Sequence, residues 1–152
     1  MKNKNCDISF YKLTTLPIHK AAPKLIEKIY YSKQNLVVVL ESEDLLKSVD
    51  DSLWSYSTKH FIPHGTHLDN LKEQQPIYFT LEIENPNNSE LIMALGSVDL
   101  DKIEATKYLY MFDGNNKNQL DFARNKWKFY HKQNHNLTYW SQNIDGSWEK
   151  QF

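Results

Sequence analysis

Five consecutive aliphatic residues, Leu36-Val37-Val38-Val39-Leu40, set between Asn35 and Glu41, restrict this chain more than any other feature. A strand with one face in water alternates apolar and polar side chains, so a strand that is apolar at every position is covered on both sides. Such a strand requires helices above and below its sheet, and the flanking sequence supplies candidates. Upstream, Ala22–Lys33 places Leu25, Ile26, Ile29 and Tyr30 at helical spacing, with Pro23 in the first turn, where proline is tolerated. Downstream of Glu41, Glu43 and Asp44, residues Leu45, Leu46, Val49 and Leu53 repeat at the same period, ending near Trp54. Ile8–Leu13, closed off by Pro17, Pro76–Ile83, Leu91–Leu95 and Tyr108–Phe112 read as further strands from their β-branched and aromatic content. Glu84–Glu90 has turn chemistry, and Asp99–Lys107 is predicted as a short helix. The pattern as a whole predicts an α/β domain with a largely parallel sheet and helices on both faces.

A chain of 152 residues holds one domain with one ordinary core, and its 40% apolar and 24% charged residues are those of a globular sequence. A single domain over residues 1–152 is expected, with Leu137–Phe152, which shows no clear period, as an extended C-terminal tail. A formal net charge of -1 argues against a protein that coats nucleic acid by itself, because that mode of binding neutralises many phosphates. Anion recognition, if present, is local. The single cysteine, Cys6, excludes an internal disulfide and a cysteine metal cluster, and agrees with a reducing compartment. No apolar run reaches the ~18 residues of a membrane span, so a cytoplasmic protein is expected.

The local charge sits in Asn115–Asn136. On a helical wheel Leu120, Ala123, Trp127 and Tyr130 form one apolar stripe, with Arg124, Lys128, His131 and Lys132 beside it. Between residues 117 and 132 five Lys/Arg face the single acid Asp121. Trp127 therefore lies where a packed face meets a cationic one, a seam suited to an anionic partner with an apolar group to bury. Basic residues also gather in last turns simply to complement the helix dipole.

Other chemistry-bearing residues have ordinary readings. Glu41, Glu43 and Asp44, just past a buried strand, favour the first turn of the next helix. Ribose or metal binding there would call for a glycine-rich loop, and Gly65, Gly96, Gly114 and Gly146 are never close together, so no phosphate cradle and no cofactor is predicted. His64 and His67 lie three apart in a turn-forming segment, but no third ligand stands at zinc-like spacing around them.

Leu53-Trp54, then Phe61-Ile62-Pro63-His64, then Ala123-Arg124-Asn125-Lys126-Trp127-Lys128-Phe129-Tyr130 running on to Asn136-Leu137, together resemble the chi subunit of bacterial DNA polymerase III. That family's pattern is a Leu-Trp, a Phe-Val/Ile-Pro-His element, and a last helix of the form Ala-Arg-x-x-Tyr/Trp-Lys-x-Tyr leading into Asn-Leu. The resemblance extends from Ile8 to Leu137. It implies a Rossmann-like three-layer fold without nucleotide chemistry, and an adaptor in DNA replication that ties the clamp loader to single-stranded DNA-binding protein. The ligand so implied is that protein's C-terminal tail, an acidic stretch ending in a Pro-Phe carboxylate, met by Arg124, Trp127 and Lys128. Lys132 would attract the acidic residues, and Phe112, ending the preceding strand, is expected as a second wall. Trp127 stands where the family often has tyrosine, which keeps the stacking surface and removes a hydroxyl. The Phe61, Ile62, Pro63 and His64 element resembles the family's contact with the psi subunit, used in some bacteria for a repair helicase, with Phe61 as the expected anchor. DNA is then met only indirectly.

Two other classes compete. A single-stranded nucleic-acid binder would use Trp127, Tyr130 and the lysines as a stacking groove. A small metal-dependent hydrolase would use His64 and His67 with Glu41, Glu43 and Asp44.

Overall fold

In a computed structural model, residues 5–56 and 62–152 are described. Among the described residues eight strands form one sheet: β1 (Asp7–Leu13), β2 (Leu36–Leu40), β3 (Gly65–Thr66), β4 (Ile77–Thr80), β5 (Leu91–Leu95), β6 (Lys107–Asp113), β7 (Asn136–Gln142) and β8 (Trp148–Lys150). Their spatial order is β3-β4-β2-β5-β6-β1-β7-β8. Every pairing is parallel except β7 with β8. Within the same described residues three α-helices accompany the sheet: α1 (Ile18–Tyr31), α2 (Glu43–Tyr56) and α3 (Lys117–Lys132). Among the described residues no helix is long and apolar enough to cross a membrane.

The aliphatic run behaves as its composition demands. β2 is buried at all five positions, between β4 and β5. Because side chains alternate across a strand, Leu36, Val38 and Leu40 join Ile26 and Ile29 of α1 and Leu46, Val49 and Leu53 of α2 in one apolar cluster. Val37 and Val39 join a second cluster with Tyr108, Tyr110 and Phe112 of β6 and Ala123 and Tyr130 of α3.

Four elements depart from expectation. Helix α1 begins at Ile18, directly after the N-cap Pro17, so Pro23 lies inside the helix rather than in its first turn. It has no N–H for the His19 carbonyl, and its buried ring contributes packing instead. β4 stops at Thr80 instead of Ile83, where the Thr80 hydroxyl accepts from the Glu82 N–H at 2.9 Å and turns the chain. Asp99–Lys107 forms no helix. Asp99 accepts its own turn's Asp101 N–H at 3.0 Å, Leu100 and Ile103 sink into the core, and the two carboxylates reach α3. The segment expected as a C-terminal tail is instead the β7–β8 hairpin. β7 is an interior strand lying parallel to β1, from Asp7 opposite Asn136 to Lys12 opposite Ser141.

Candidate functional site

Helix α3 is fixed at its start by an unusually close approach of chain segments. Gly114 donates its N–H to the Leu13 carbonyl at 2.7 Å, and a Cβ at this position would come within 2.7 Å of that same oxygen. Asn116 then caps the helix, its side chain accepting from the Gln119 N–H at 3.1 Å. The Gln119 amide accepts from the Asp113 N–H at 2.8 Å and donates to Glu41 at 3.0 Å, while the other Glu41 oxygen accepts from the Ser97 N–H at 2.8 Å. Glu41 thus ties the ends of β2, β5 and α3 together, and Glu43 and Asp44 occupy the first turn of α2.

The inner face of α3 holds its rotation. Ala123 and Tyr130 are buried. Tyr130 donates to Asp101 at 2.9 Å and lies 2.6 Å from the Tyr110 hydroxyl. Burial pushes both phenols' pKa values well above the ordinary tyrosine range, so each acts as a neutral hydrogen-bonding group. Lys126 belongs to this face too. It is 8% exposed, with Nζ 3.0 Å from Asp99, 3.6 Å from Asp101, and within 4.8 Å of the Phe129 and Tyr130 ring centroids. Lys117 pairs with Asp121 at 2.8 Å. The five basic residues of this stretch therefore divide into two with partners and three, Arg124, Lys128 and Lys132, on one exposed stripe.

Arg124, Trp127 and Lys128 border one hollow of about 330 Å³, closed by Tyr139 of β7 and by Phe152. Trp127 stands edge-on to Phe10 (5.5 Å between centroids, 68°) and to Tyr139 (5.5 Å, 81°), which fixes the indole between sheet and helix. The Phe152 ring lies 5.7 Å from Trp127 and 5.9 Å from Tyr139. Burial raises the Tyr139 pKa while the Arg124 guanidinium draws it back down, so the cation is felt inside the hollow. Arg124 has no hydrogen bond or ion pair with another described residue. An apolar ring wall beside unengaged guanidinium and ammonium groups can take an aromatic group and an anion together.

Phe112 does not reach this hollow. It is 2% exposed and sits edge-on behind Tyr139 at 6.4 Å, a backing for the wall rather than the wall itself. Lys132 lies one turn beyond Lys128 on the same stripe, outside the lining. Tyr139 and Phe152 are the site residues that sequence reading missed. The aromatic and Thr content of Leu137–Trp140 was the signal available.

Phe61 lies outside the described residues. Of its neighbours, Ile62 is buried in the α1–α2 cluster and Pro63 is half-buried. His64 is turned inward, its side chain 2% exposed, with Nε2 2.8 Å from Asp50 and Nδ1 2.7 Å from the Ile62 carbonyl oxygen. The group above it that reaches solvent is Trp54, 57% exposed and 4.9 Å from the His64 ring. His67 lies 3.7 Å from Glu43. Among the described residues no three His, Cys, Asp or Glu gather closely enough to hold a metal ion.

The fold and site together are those of an α/β domain with a mostly parallel sheet and a cationic, ring-lined hollow against its last helix, a shape and charge that suit a ligand both aromatic and anionic. The profile of the family described as DNA polymerase III chi subunit, HolC, matches residues 6–138. The chain is also 32% identical over 151 residues to the probable DNA polymerase III subunit chi of Rickettsia prowazekii (strain Madrid E), covering 93% of this chain and 90% of the relative. The chain belongs to the DNA polymerase III chi subunit family, and with it to DNA replication.

Proposed function

We propose that this chain is a non-catalytic accessory subunit, on a Rossmann-like three-layer frame, that binds the acidic C-terminal tail of single-stranded DNA-binding protein and links it to the clamp loader. The observation that carries the reading is the hollow shared by Arg124, Trp127 and Lys128, whose ring wall already accommodates a phenylalanine, Phe152. A terminal phenylalanine ring buried against Trp127 and Tyr139 contributes on the order of 2 kcal/mol. Arg124 grips the terminal carboxylate, bidentately where geometry allows. Lys128 and Lys132 meet the acidic residues upstream, which chiefly speeds encounter and weakens with salt.

The protein acts in the cytoplasm, without cofactor or membrane contact, and its α3 hollow meets the partner's tail rather than DNA itself. A second surface, for the psi subunit or another clamp-loader or helicase partner, includes Pro63 and the exposed Trp54, with Phe61, which lies outside the described residues, as its expected anchor. Ile62 and His64 support it from below. Tyr130 is fully buried with its hydroxyl engaged, so a stacking groove along α3 loses one of the two rings it needs. A hydrolase site loses Glu41 to structural hydrogen bonds and His64 to its buried pair with Asp50.

The test is a calorimetric titration with an acidic peptide ending in Pro-Phe and with its C-terminally amidated form. The free acid binds and the amide binds at least tenfold more weakly. Equal affinity for the two removes the carboxylate from the mechanism.

A further inference from the structure

A larger hollow, about 400 Å³, lies on the other face of β7, between α1 and the β7–β8 hairpin. That volume is in the range of small-ligand sites. One wall is a row of lysines on α1, Lys20, Lys24 and Lys28, one turn apart; the other carries Tyr11, Trp140 and Trp148. Tyr11 stacks on Trp140 (6.2 Å, 9°) and meets Trp148 edge-on (5.1 Å, 86°), giving a rigid aromatic platform with both indoles half-buried.

The charges of this hollow are one-sided. Among the described residues no Asp or Glu borders it, and none of the three lysines has a hydrogen bond or ion pair with another of them. Asp145, in the hairpin turn, is held by the Ser147 N–H at 3.0 Å and hydroxyl at 2.6 Å. Helix α1 has no acidic residue in its first turn, so its positive dipole end adds to Lys20. Like charges at i,i+4 destabilise a helix, and here they recur twice on one stripe. On a helix such lysines rise by about 6 Å per step, comparable with the distance between neighbouring phosphates of an extended single strand. Aromatic faces beside a cationic track are the means by which single strands are held without sequence preference.

We propose that the α1–hairpin groove is a direct binding site for a short segment of single-stranded DNA, its phosphates on Lys20, Lys24 and Lys28 and a base stacked on the Tyr11–Trp140–Trp148 platform. The site is separate from the α3 hollow and stands whether or not the tail-binding reading holds. Three phosphate contacts fit a chain whose overall charge is near zero: the binding is weak and local.

The full chain is titrated into a fluorescently labelled oligothymidylate, reading anisotropy and tryptophan quenching. Three phosphates give a log affinity against log salt slope of about -2, so a fourfold rise in salt weakens binding roughly 20-fold. The triple variant Lys20→Ala/Lys24→Ala/Lys28→Ala loses binding by more than tenfold, with its thermal midpoint held or raised. The single variant Lys24→Ala loses several-fold and flattens the slope by about 0.7. An oligonucleotide of abasic sites binds several-fold more weakly without quenching, and Arg124→Ala leaves the oligonucleotide affinity unchanged. No binding by the unaltered protein, full affinity in the triple variant, equal affinity for the abasic strand, or displacement by polyglutamate as effective as by DNA each overturns the proposal.

Discussion

Reversing one charge separates recognition from folding at the α3 hollow. Arg124 is exposed, borders the indole, and is bonded to no other described residue, so Arg124→Glu removes nothing the fold relies on. What it removes is the cation proposed to face the peptide's carboxylate. Hydrogen bonds to charged groups are worth about 1.5–3 kcal/mol net, and solvent screening at this exposed rim favours the lower half of that range. Loss of the grip alone, at about 2 kcal/mol, is roughly 30-fold in affinity. The introduced carboxylate then repels the acidic peptide, bringing the total to about 100-fold at low salt, with the repulsive part fading as salt rises. Calorimetry of the variant against the free-acid peptide reads the affinity, and scanning calorimetry reads the thermal midpoint, expected within about 2 °C of the parent because surface changes lie within ±0.5 kcal/mol. An unchanged affinity refutes the assignment of Arg124. A fall in the midpoint of more than a few degrees refutes the claim that the residue is bound only to ligand.

Three further outcomes follow from the same geometry. Lys126→Met, which strips Asp99 and Asp101 of their cation, lowers stability by about 1–3 kcal/mol in denaturant melts while leaving peptide affinity unchanged; lost affinity at full stability would place Lys126 in the site instead. Phe152→Ala frees the ring wall of Trp127 and Tyr139; an aromatic pair is worth about 1 kcal/mol, so peptide affinity rises roughly fivefold, and a fall would make Phe152 a needed part of the pocket. The buried phenols Tyr110 and Tyr130 have pKa values raised above the ordinary 10.0, so their contribution to stability is whole below pH 10. It is lost as pH climbs above 10, because the unfolded chain ionises first. Thermal midpoints taken from pH 8 to 11 decline above 10, and Tyr130→Phe flattens that decline.

The strands that sequence reading located best are those buried on both faces, β2, β5 and β6, where unbroken apolar runs leave no other reading. Helix α3 was equally legible, and Arg124, Trp127 and Lys128 do line one hollow. What the sequence hid was partnership. Lys126 has the same charge as Lys128 and lies two residues away, and although its spacing from Ala123 and Tyr130 turns it inward, the loop holding Asp99 and Asp101 supplies the partners that let a lysine stay there. The segment Asp99–Lys107, expected as a helix, is instead a loop whose Leu100 and Ile103 are buried. β7 escaped notice because both its faces are only half covered, so Leu137, Tyr139 and Trp140 show neither alternation nor a continuous run. Once β7 was lost, so was Tyr139, the far wall of the pocket, and with it the ring against which Phe152 lies.

The place of β1 in the sheet has a consequence for how the chain is made. Both of its neighbours come from the distant half of the molecule: Asp7 lies beside Lys107 on one side and Asn136 on the other. During translation at roughly 5–20 residues per second, this first strand emerges and waits several seconds, both edges unsatisfied, for the ribosome to deliver them. Such distant pairing makes for slow folding and prolonged exposure to aggregation. A truncated product ending before residue 107 would have an N-terminal strand with nothing to dock on, and would be a target for chaperones rather than half a protein.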